Sequence, residues 1–516
     1  MELMLIISSP LIWAVFTFYS SYLFWVNWSR PPLPPGPPTL PLIGNLHQIS
    51  KGDEVQTVLQ KWYGQLGHVI CLRLGLRKVI YLGNYQAAHD LLEKKGEIYS
   101  ARPRMIMANE CVTKGYHTAI LPYGSKWRSH RRLHMSVLGV RSAYQWRPVQ
   151  NLESLQLIHN LLFTNAFIPA FERFATSTLT ALVFGKRMIN GEESEYQRIG
   201  EISNATQRVF GTAFWLVDYF PILNNLPRCF APWKRIGDKV FTETIEFYRQ
   251  CTAQSESAGS WNWTQHLLKQ PEAKKLTPDE VSYILGNFYA NGGDSIASTL
   301  RVCVLAAILH PKIVSKAQAE LDTVTCADRL PGFDDLQHLP YTEAFVKEAM
   351  RWRPIAPDGQ PHSVTEDDLY QGYWIPRGST IVANIWAICM DQEIFDDPAT
   401  FQPERWIHNP DMPEIGFGFG RRVCPGSHFA KDSLFIAVSR LLWTFNLKHA
   451  TRDGRIVELN PWDLETDGPA CRARPFPAIL EVRDMRHREA VEQAWLHAEK
   501  DVQRILSKIS DSRHNK

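Results

Sequence analysis

A run of ten residues in the last quarter of the chain has the composition of a loop built around one sulfur atom. The run reads Phe417-Gly418-Phe419-Gly420-Arg421-Arg422-Val423-Cys424-Pro425-Gly426, and its glycines allow positive φ angles that bring backbone N–H groups close to the Cys424 sulfur. A thiolate held in this way could ligate a haem iron, and Arg422 is placed to pair with a haem propionate. The alternative is a Gly/Pro-rich turn that contains an inert cysteine.

A long apolar helix is predicted to begin after Thr277 and to end at His310-Pro311. Thr277 and Glu280 form a capping box, and Pro311 prevents the helix from continuing. The middle of this segment reads Asn291-Gly292-Gly293-Asp294-Ser295, in which each glycine costs about 1 kcal/mol relative to alanine. The helix either breaks at these residues or forms a groove there.

The cysteine loop resembles the signature of the cytochromes P450, because Phe, Gly, Arg, Cys and Gly stand in the order and spacing of that pattern. Glu348 and Arg351 resemble the family's ExxR pair, and Arg405 in Pro403-Glu404-Arg405-Trp406 stands where the family has a third member. The resemblance covers roughly residues 31–484. It implies haem b, with its iron ligated by the Cys424 thiolate.

The same resemblance implies roles for other residues. Trp127 and Arg131 are four residues apart, so they share one helix face, and they resemble the family's WxxxR motif, whose arginine binds a haem propionate. His362 corresponds to a further propionate-binding position. The implied cofactor-binding residues are Trp127, Arg131, His362, Phe417, Arg422 and Gly426.

The interrupted helix resembles the family's oxygen-binding groove. Asp294 and Ser295 are then the implied catalytic residues, which relay protons to the distal oxygen by general acid catalysis. The sequence departs from the family pattern at three positions. Asn291 replaces a small apolar residue, Ser295 replaces threonine, and Ile296 replaces a hydroxyl residue. These departures leave haem binding untouched and bear on the efficiency of oxygen activation.

Composition excludes several other classes of protein. The 516 residues are 45% hydrophobic and 21% charged, which is typical of a globular chain. The formal net charge of +3 gives no basic field that would attract nucleic acid. The nine cysteines contain no CxxC pair, which argues against zinc knuckles, iron–sulfur runs and c-type haem attachment, and is typical of free thiols in a reducing compartment.

The N-terminal segment is predicted to span a membrane. Residues 3–29 contain no Asp, Glu, Lys or Arg, and this run exceeds the ~20 residues needed to cross a bilayer. A cleaved signal peptide is the competing interpretation, but the charged n-region is missing. Arg30 follows the segment, so the positive-inside rule predicts a cytosolic catalytic domain. The resemblance to the microsomal members of the cytochrome P450 family implies that the membrane is that of the endoplasmic reticulum.

The fold class predicted is mainly α with a small β region, the cytochrome P450 fold, preceded by one transmembrane helix. The predicted divisions are an anchor at 1–29, a Pro-rich hinge at 30–50, a haem-binding monooxygenase domain at 51–484 and an amphipathic helical tail at 485–516. Apolar residues in the tail alternate at steps of four and three, namely Val491, Trp495, Ala498, Val502, Ile505 and Ile509. We expect the tail to pack against the protein's own body; a dimer or partner contact is the alternative.

The resemblance implies a monooxygenase that inserts one oxygen atom from O₂ into a lipophilic small molecule, in the manner of fungal secondary-metabolite enzymes. Electrons would come from NADPH through a membrane-bound diflavin reductase that docks on a basic face including Arg128 and Arg132. Two alternatives remain open. One is a haem-thiolate isomerase, dehydratase or peroxygenase that needs no reductase, and the other is a non-catalytic, membrane-tethered haem binder.

Overall fold

The computed structural model describes residues 31–49, 55–211, 215–467 and 470–514. Helices account for 59% and strands for 10% of the structure, which confirms the prediction of a mainly α fold with a small β region. The predicted membrane anchor at 1–29 lies outside the described residues.

The α-helices are α1 Val55–Leu66, α2 Tyr85–Ala88, α3 Gly96–Tyr99, α4 Ser125–Leu138, α5 Val140–Ala143, α6 Arg147–Leu161, α7 Phe167–Phe184, α8 Ser194–Gly211, α9 Leu216–Tyr219, α10 Pro232–Glu256, α11 Trp263–Leu268, α12 Pro278–Leu309, α13 Pro311–Thr325, α14 Pro340–Trp352, α15 Ile385–Cys389, α16 Glu404–His408, α17 Ser427–Thr444, α18 Met485–His497 and α19 Val502–His514. The strands are β1 Val69–Leu74, β2 Arg77–Leu82, β3 His362–Ser363, β4 Asp368–Tyr370, β5 Tyr373–Ile375, β6 Thr380–Ala383, β7 Phe445–His449, β8 Thr451–Arg452, β9 Arg455–Ile456, β10 Leu464–Asp467, β11 Ala470–Ala473 and β12 Ala478–Val482.

Helix α12 runs through the core without a break. Its capping box is present, with the Thr277 side chain accepting from the Glu280 N–H and the Glu280 carboxylate accepting from the Thr277 N–H. The helix stays intact at the glycines, so the alternative of a broken helix is wrong. A Cβ at Gly292 would lie 2.8 Å from Leu179 Cδ1, which shows that the missing side chain lets α7 pack closely.

Helix α12 is the one helix within the described ranges that is long and apolar enough to cross a membrane. Its most apolar window is 78% buried inside the fold. A helix surrounded by protein in this way is the core helix of a globular domain, and it owes its apolar character to packing.

The β region contains one four-stranded sheet with the order β1-β2-β6-β3, in which β2 and β6 are parallel. Strands β4 and β5 form a hairpin, joined by Gln371 with φ 50° and Gly372 with φ 82°. Two consecutive positive φ angles are typical of the type I′ turn, whose twist matches that of the strands.

The proline-rich segment from residue 31 to 49 lies against this β region. The Cys71 N–H donates to the Pro35 carbonyl at 2.8 Å, and the Trp374 N–H donates to the Pro32 carbonyl at 2.8 Å. Asn45 is fully buried, and its side-chain oxygen accepts from the Arg73 N–H at 2.8 Å. These bonds fix the direction in which the chain enters the globular body.

The C-terminal tail forms two helices, α18 and α19, separated at residues 498–501, where the predicted apolar seam is interrupted. Both helices contact α6. Val491 and Leu506 are fully buried in the main core, and Trp495 stacks on His159 with a centroid distance of 5.2 Å. The Gln503 side chain donates to the Gly185 carbonyl at 2.8 Å. The tail is therefore packed against the body of the same chain.

Leu506→Ala is expected to lower the free energy of unfolding by about 2–5 kcal/mol, because truncating a fully buried leucine leaves a cavity between α19 and the core. The matched control is Lys508→Ala, an exposed position on the same helix, which is expected to change little. The measurement is chemical or thermal unfolding of both variants. Equal stability of the two variants would show that the tail adds nothing to the fold.

Candidate active site

The cysteine loop, residues 417–426, contains a short 3₁₀ turn at Gly420–Arg422 and leads into the N-terminus of α17. The Cys424 N–H donates to the Phe417 carbonyl at 2.9 Å, which closes the loop. Gly420 has φ +57°, and a Cβ there would lie only 2.2 Å from the Leu92 carbonyl oxygen. Glycine is therefore required at Gly420 by both its backbone angle and the close approach of the neighbouring chain.

The Cys424 side chain lies in a recess within the protein. The side chain is accessible to solvent. The surrounding protein nevertheless desolvates the thiol and raises its pKa. The Gly426 N–H and the Arg131 guanidinium act in the opposite direction and favour the thiolate. A Cβ at Gly426 would lie 3.9 Å from Cys424 Sγ, so the loop approaches the sulfur closely. The site can therefore hold a thiolate when a neighbouring cation balances the negative charge of the sulfur.

Predicted cofactor-binding residues from distant parts of the chain meet beside this recess. The Arg422 guanidinium stacks on the Trp127 ring at 4.4 Å and donates to the Ser100 and Leu121 carbonyls at 2.9 and 2.7 Å. Burial lowers the pKa of Arg422 to about 10, and Arg131 acts in the same direction. Helix α4 thus brings Trp127 and Arg131 to the same side of the cysteine loop.

His362 belongs to the same group. Its Nδ1–H donates to the Tyr99 carbonyl at 2.9 Å, and burial together with Arg102 and Arg422 lowers its pKa to about 3. His362 is therefore neutral at physiological pH unless an anion lies beside Nε2. An adjacent carboxylate would raise this pKa and allow both ring nitrogens to donate.

The arrangement fits a cofactor that carries carboxylates. Arg102 is buried, and Arg131 and Arg422 are half-buried. The titratable groups that influence the pKa values of these guanidiniums are the arginines themselves, the Cys424 thiol and the Tyr123 phenol. Arg422 Nη1 is buried and has no hydrogen-bond partner among the described residues. Buried cations need an anion, because desolvation of an unpaired charge is costly. The two propionates and the iron of haem b would satisfy these cations and the Cys424 sulfur.

Arg102 was not among the residues predicted from the sequence. It is buried and donates to the Ala119, Gln360 and Pro361 carbonyls at 2.8, 2.8 and 2.7 Å, which ties three loops around the recess. The sequence around Arg102, which reads Ala101-Arg102-Pro103, contains no motif that would distinguish this arginine from one on the surface. The proximity of Arg422, which lowers the pKa of Arg102, appears only in the folded chain.

The predicted triad of Glu348, Arg351 and Arg405 is assembled in the structure. Arg351 Nε and Nη2 donate to the two Glu348 carboxylate oxygens at 2.8 and 2.7 Å, and Arg405 Nε donates to Glu348 Oε1 at 3.1 Å. The Trp406 indole N–H completes the group at 2.9 Å. Glu348 is fully buried, so this cluster is a structural support and has no contact with solvent or substrate.

The predicted relay residues lie on α12, and each has partners. Asp294 Oδ1 accepts from Arg472 Nη1 at 3.1 Å, and Oδ2 accepts from Gln207 Nε2 at 3.3 Å. Ser295 Oγ donates to the Asn291 and Gly292 carbonyls at 3.1 Å. Gln207 on α8 and Arg472 on β11 were not predicted, because only the fold brings these elements to α12. The structure gives the carboxyl a fixed orientation between these two side chains.

Phe288 and Tyr289 on α12 are packed into the core. Phe288 contacts His134 and Trp263 with centroid distances of 4.8 and 5.2 Å, and Tyr289 contacts Tyr248 at 5.8 Å. Asn291, one turn further along α12 than Phe288, is exposed. The accessible part of this helix is therefore polar.

Comparison with known proteins agrees with this site. A sequence model of the cytochrome P450 family matches residues 34–464. Cytochrome P450 monooxygenase drtD of Aspergillus calidoustus is 48% identical over 463 residues, covering 90% of this chain and 88% of that protein. Cytochrome P450 monooxygenase aneD of Aspergillus aculeatus is 40% identical over 473 residues, covering 91% and 92%. The echilunin cytochrome P450 monooxygenase of Aspergillus ruber is 37% identical over 512 residues, covering 97% and 94%.

These matches extend over most of the chain, and the residues matched by the family model include the cysteine loop and the Glu348 cluster. The chain therefore belongs to the cytochrome P450 family and is a cytochrome P450 monooxygenase.

Proposed function

We propose that this protein inserts one oxygen atom from O₂ into a lipophilic small molecule of fungal secondary metabolism, with electrons supplied by NADPH through a diflavin reductase. The observation that carries the proposal is the recess around Cys424, where one sulfur and the guanidiniums of Arg131 and Arg422 converge, with Arg422 Nη1 buried and without a hydrogen-bond partner among the described residues. When bound there, a thiolate-ligated haem supplies the chemistry that activates O₂. The similarity to monooxygenases of Aspergillus supports the metabolic setting.

The proposed reaction assigns a role to each of the predicted site residues. Cys424 would ligate the iron, and Arg131, Arg422 and His362 would hold the propionates, with Trp127 and Phe417 packed beside them. Asp294 and Ser295 would deliver protons on the substrate side. Arg472 and Gln207 hold the Asp294 carboxyl, so its rotation toward Ser295 would require these bonds to open.

The reductase would dock on the face that carries the cysteine loop. Arg128 and Arg421 are exposed there, and Arg421 donates to the Tyr123 hydroxyl at 3.1 Å. Arg132 is also exposed and pairs with Glu272 at 2.9 Å. An acidic partner surface would be attracted to this basic face in a salt-dependent way.

Turnover by microsomes that contain the protein tests the proposed reaction. Candidate lipophilic substrates are incubated with NADPH and reductase together, and with each omitted. We expect an oxygenated product only when both are present. A product formed without either would identify an isomerase, dehydratase or peroxygenase, and haem binding with no product under any condition would identify a non-catalytic haem binder.

Ser295→Ala is expected to raise the amount of peroxide released per NADPH consumed, because the variant lacks the hydroxyl proposed to deliver a proton. Thr299→Val is the matched control, since Thr299 also donates to a helix carbonyl, one turn further along α12, at 2.9 Å. The peroxide-to-NADPH ratio is measured for both variants. An unchanged ratio in Ser295→Ala would rule out the relay role.

We also propose that the protein is a single-pass membrane protein of the endoplasmic reticulum with its catalytic domain in the cytosol. An apolar patch, formed by Leu42, Leu76 and Ile222, supports a membrane contact by the globular body. These side chains are 80%, 67% and 72% exposed. The Gly75 N–H donates to the Ile43 carbonyl at 3.2 Å and the Leu76 N–H donates to the Tyr219 carbonyl at 3.3 Å, which holds the three segments together. Exposed apolar surface of this kind is typical of interaction sites.

A chain that lacks residues 1–29 is expected to retain partial binding to lipid vesicles through the apolar patch. Replacing both Leu42 and Ile222 with serine in the truncated chain should reduce that binding, because less apolar surface would enter the lipid. Vesicle flotation measures the bound fraction. A truncated chain that stays entirely in the aqueous fraction would show that the patch does not contact lipid.

A further inference from the structure

Asn291 stands out on the core helix α12. Within α12, whose residues are all described, Asn291 is the single exposed residue between Asp279 and Leu309. Because its carboxamide is accessible, a molecule that lies beside this part of α12 can form a hydrogen bond with it.

The neighbour of Asn291 is a buried histidine from the segment before α4. His117 is 9% exposed, and its ring contacts Phe210 on α8 at 5.7 Å and Tyr283 on α12 at 6.5 Å. Burial lowers the pKa of His117 to about 4, so its imidazole is neutral at physiological pH. The accessible Asn291 amide therefore lies next to a buried, neutral imidazole that is packed among aromatic rings.

The contact between the two side chains is long. Asn291 Nδ2 lies 3.5 Å from His117 Nε2, at the outer limit for a hydrogen bond. An amide nitrogen carries two N–H donors, and this contact uses one of them. No other hydrogen bond of the Asn291 side chain occurs within the described ranges. The second N–H is thus available to a bound molecule.

We propose that Asn291 is a binding residue for a carbonyl group of the substrate, and that His117 is a positioning residue that orients the Asn291 amide. The substrate class is then a lipophilic molecule that carries a ketone, lactam or amide oxygen. Phe210, which is half-buried beside His117, would contact the apolar part, and the hydrogen bond to Asn291 would fix its orientation. This inference rests on the proposed function, which places Asp294 and Ser295, one turn further along α12, on the substrate side.

Two probes of the same shape test the proposal by binding alone. N-phenacylimidazole and N-phenethylimidazole differ only in a C=O group that replaces a CH₂ group, and the imidazole nitrogen of either probe binds ferric haem. Optical difference titration gives a dissociation constant for each probe with the wild-type protein and with Asn291→Ala. For each protein, the dissociation constant of N-phenethylimidazole divided by that of N-phenacylimidazole measures the preference for the ketone. Dividing the wild-type preference by that of the variant cancels the intrinsic difference between the probes.

We expect this quotient to be about fivefold, the effect of one hydrogen bond. His117→Ala should lower the wild-type preference, and His117→Gln, which retains an acceptor, should restore part of it. Asn287→Ala, one turn earlier on α12 at a buried position, is the control and should leave the preference unchanged.

A quotient of one would overturn the inference while leaving the proposed function intact. Failure of both probes to change the spectrum would instead contradict the proposed haem site, and the inference with it. Thermal unfolding of each variant establishes that it is folded. A loss of preference in Asn287→Ala equal to that in Asn291→Ala would assign the effect to general disturbance of α12 and would also overturn the inference.

Discussion

Cys424→Ala is expected to abolish the red-shifted Soret band of the ferrous carbon monoxide complex. That band requires a thiolate ligand to the haem iron, and the recess that contains Cys424 holds the cationic groups that fit the rest of the cofactor. Carbon monoxide difference spectra of the reduced protein give the result directly.

The control for this experiment is Cys326→Ala. Cys326 follows α13, is exposed like Cys424, and is also a free thiol. Its removal is expected to leave the red-shifted band unchanged. If the band persisted in Cys424→Ala, or disappeared in Cys326→Ala, the assignment of the thiolate would be wrong. The experiment assumes nothing about Asp294 or Ser295, so it separates haem ligation from oxygen activation.

Glu348→Gln is expected to lower the free energy of unfolding by about 3–5 kcal/mol, because it leaves two buried guanidiniums without their counter-charge. Glu348 is fully buried, and its carboxylate accepts from Arg351, Arg405, the Trp406 indole and the Gln402 backbone N–H. An amide can accept through one oxygen only, and its NH₂ group would face donors. Urea unfolding measures the difference.

The same helix offers a matched control. Glu343 pairs with Lys347 at 3.0 Å, but its side chain is 43% exposed. Glu343→Gln is therefore expected to cost no more than about 0.5 kcal/mol, as is usual for surface pairs. Equal losses in the two variants would contradict the assignment of Glu348 as the centre of a buried cluster. A folded Glu348→Gln variant should also bind haem less well, because Arg351 ties α14 to the Cys389 and Pro398 carbonyls.

Local patterns were sufficient for much of the fold. The capping box at Thr277 and the proline at 311 define both ends of α12, because they act on hydrogen bonds within a few residues. The cysteine loop and the Glu348–Arg351 pair were recognisable because their residues are close in sequence.

Such local patterns could not predict contacts between segments that are distant in the sequence. Arg102 and Arg422 are separated by 320 positions along the chain, and Arg472 and Asp294 by 178, so no spacing rule relates them. The glycines of α12 were predicted to form a groove, and the structure shows in addition that Gly292 admits Leu179 of α7. The tail was predicted as a helical seam, and the structure divides it at residues 498–501 so that both halves cover α6.

The sequence by itself determined the helical class of the fold and the positions of the motifs, and it predicted which cysteine would ligate the haem iron, because these depend on side-chain chemistry and on hydrogen bonds between near neighbours. Only the tertiary structure decided which groups surround that sulfur and which side chains hold Asp294. Burial and Coulombic interaction depend on distance in space, and a charge acquires its partners, its desolvation and its pKa only when the chain has folded.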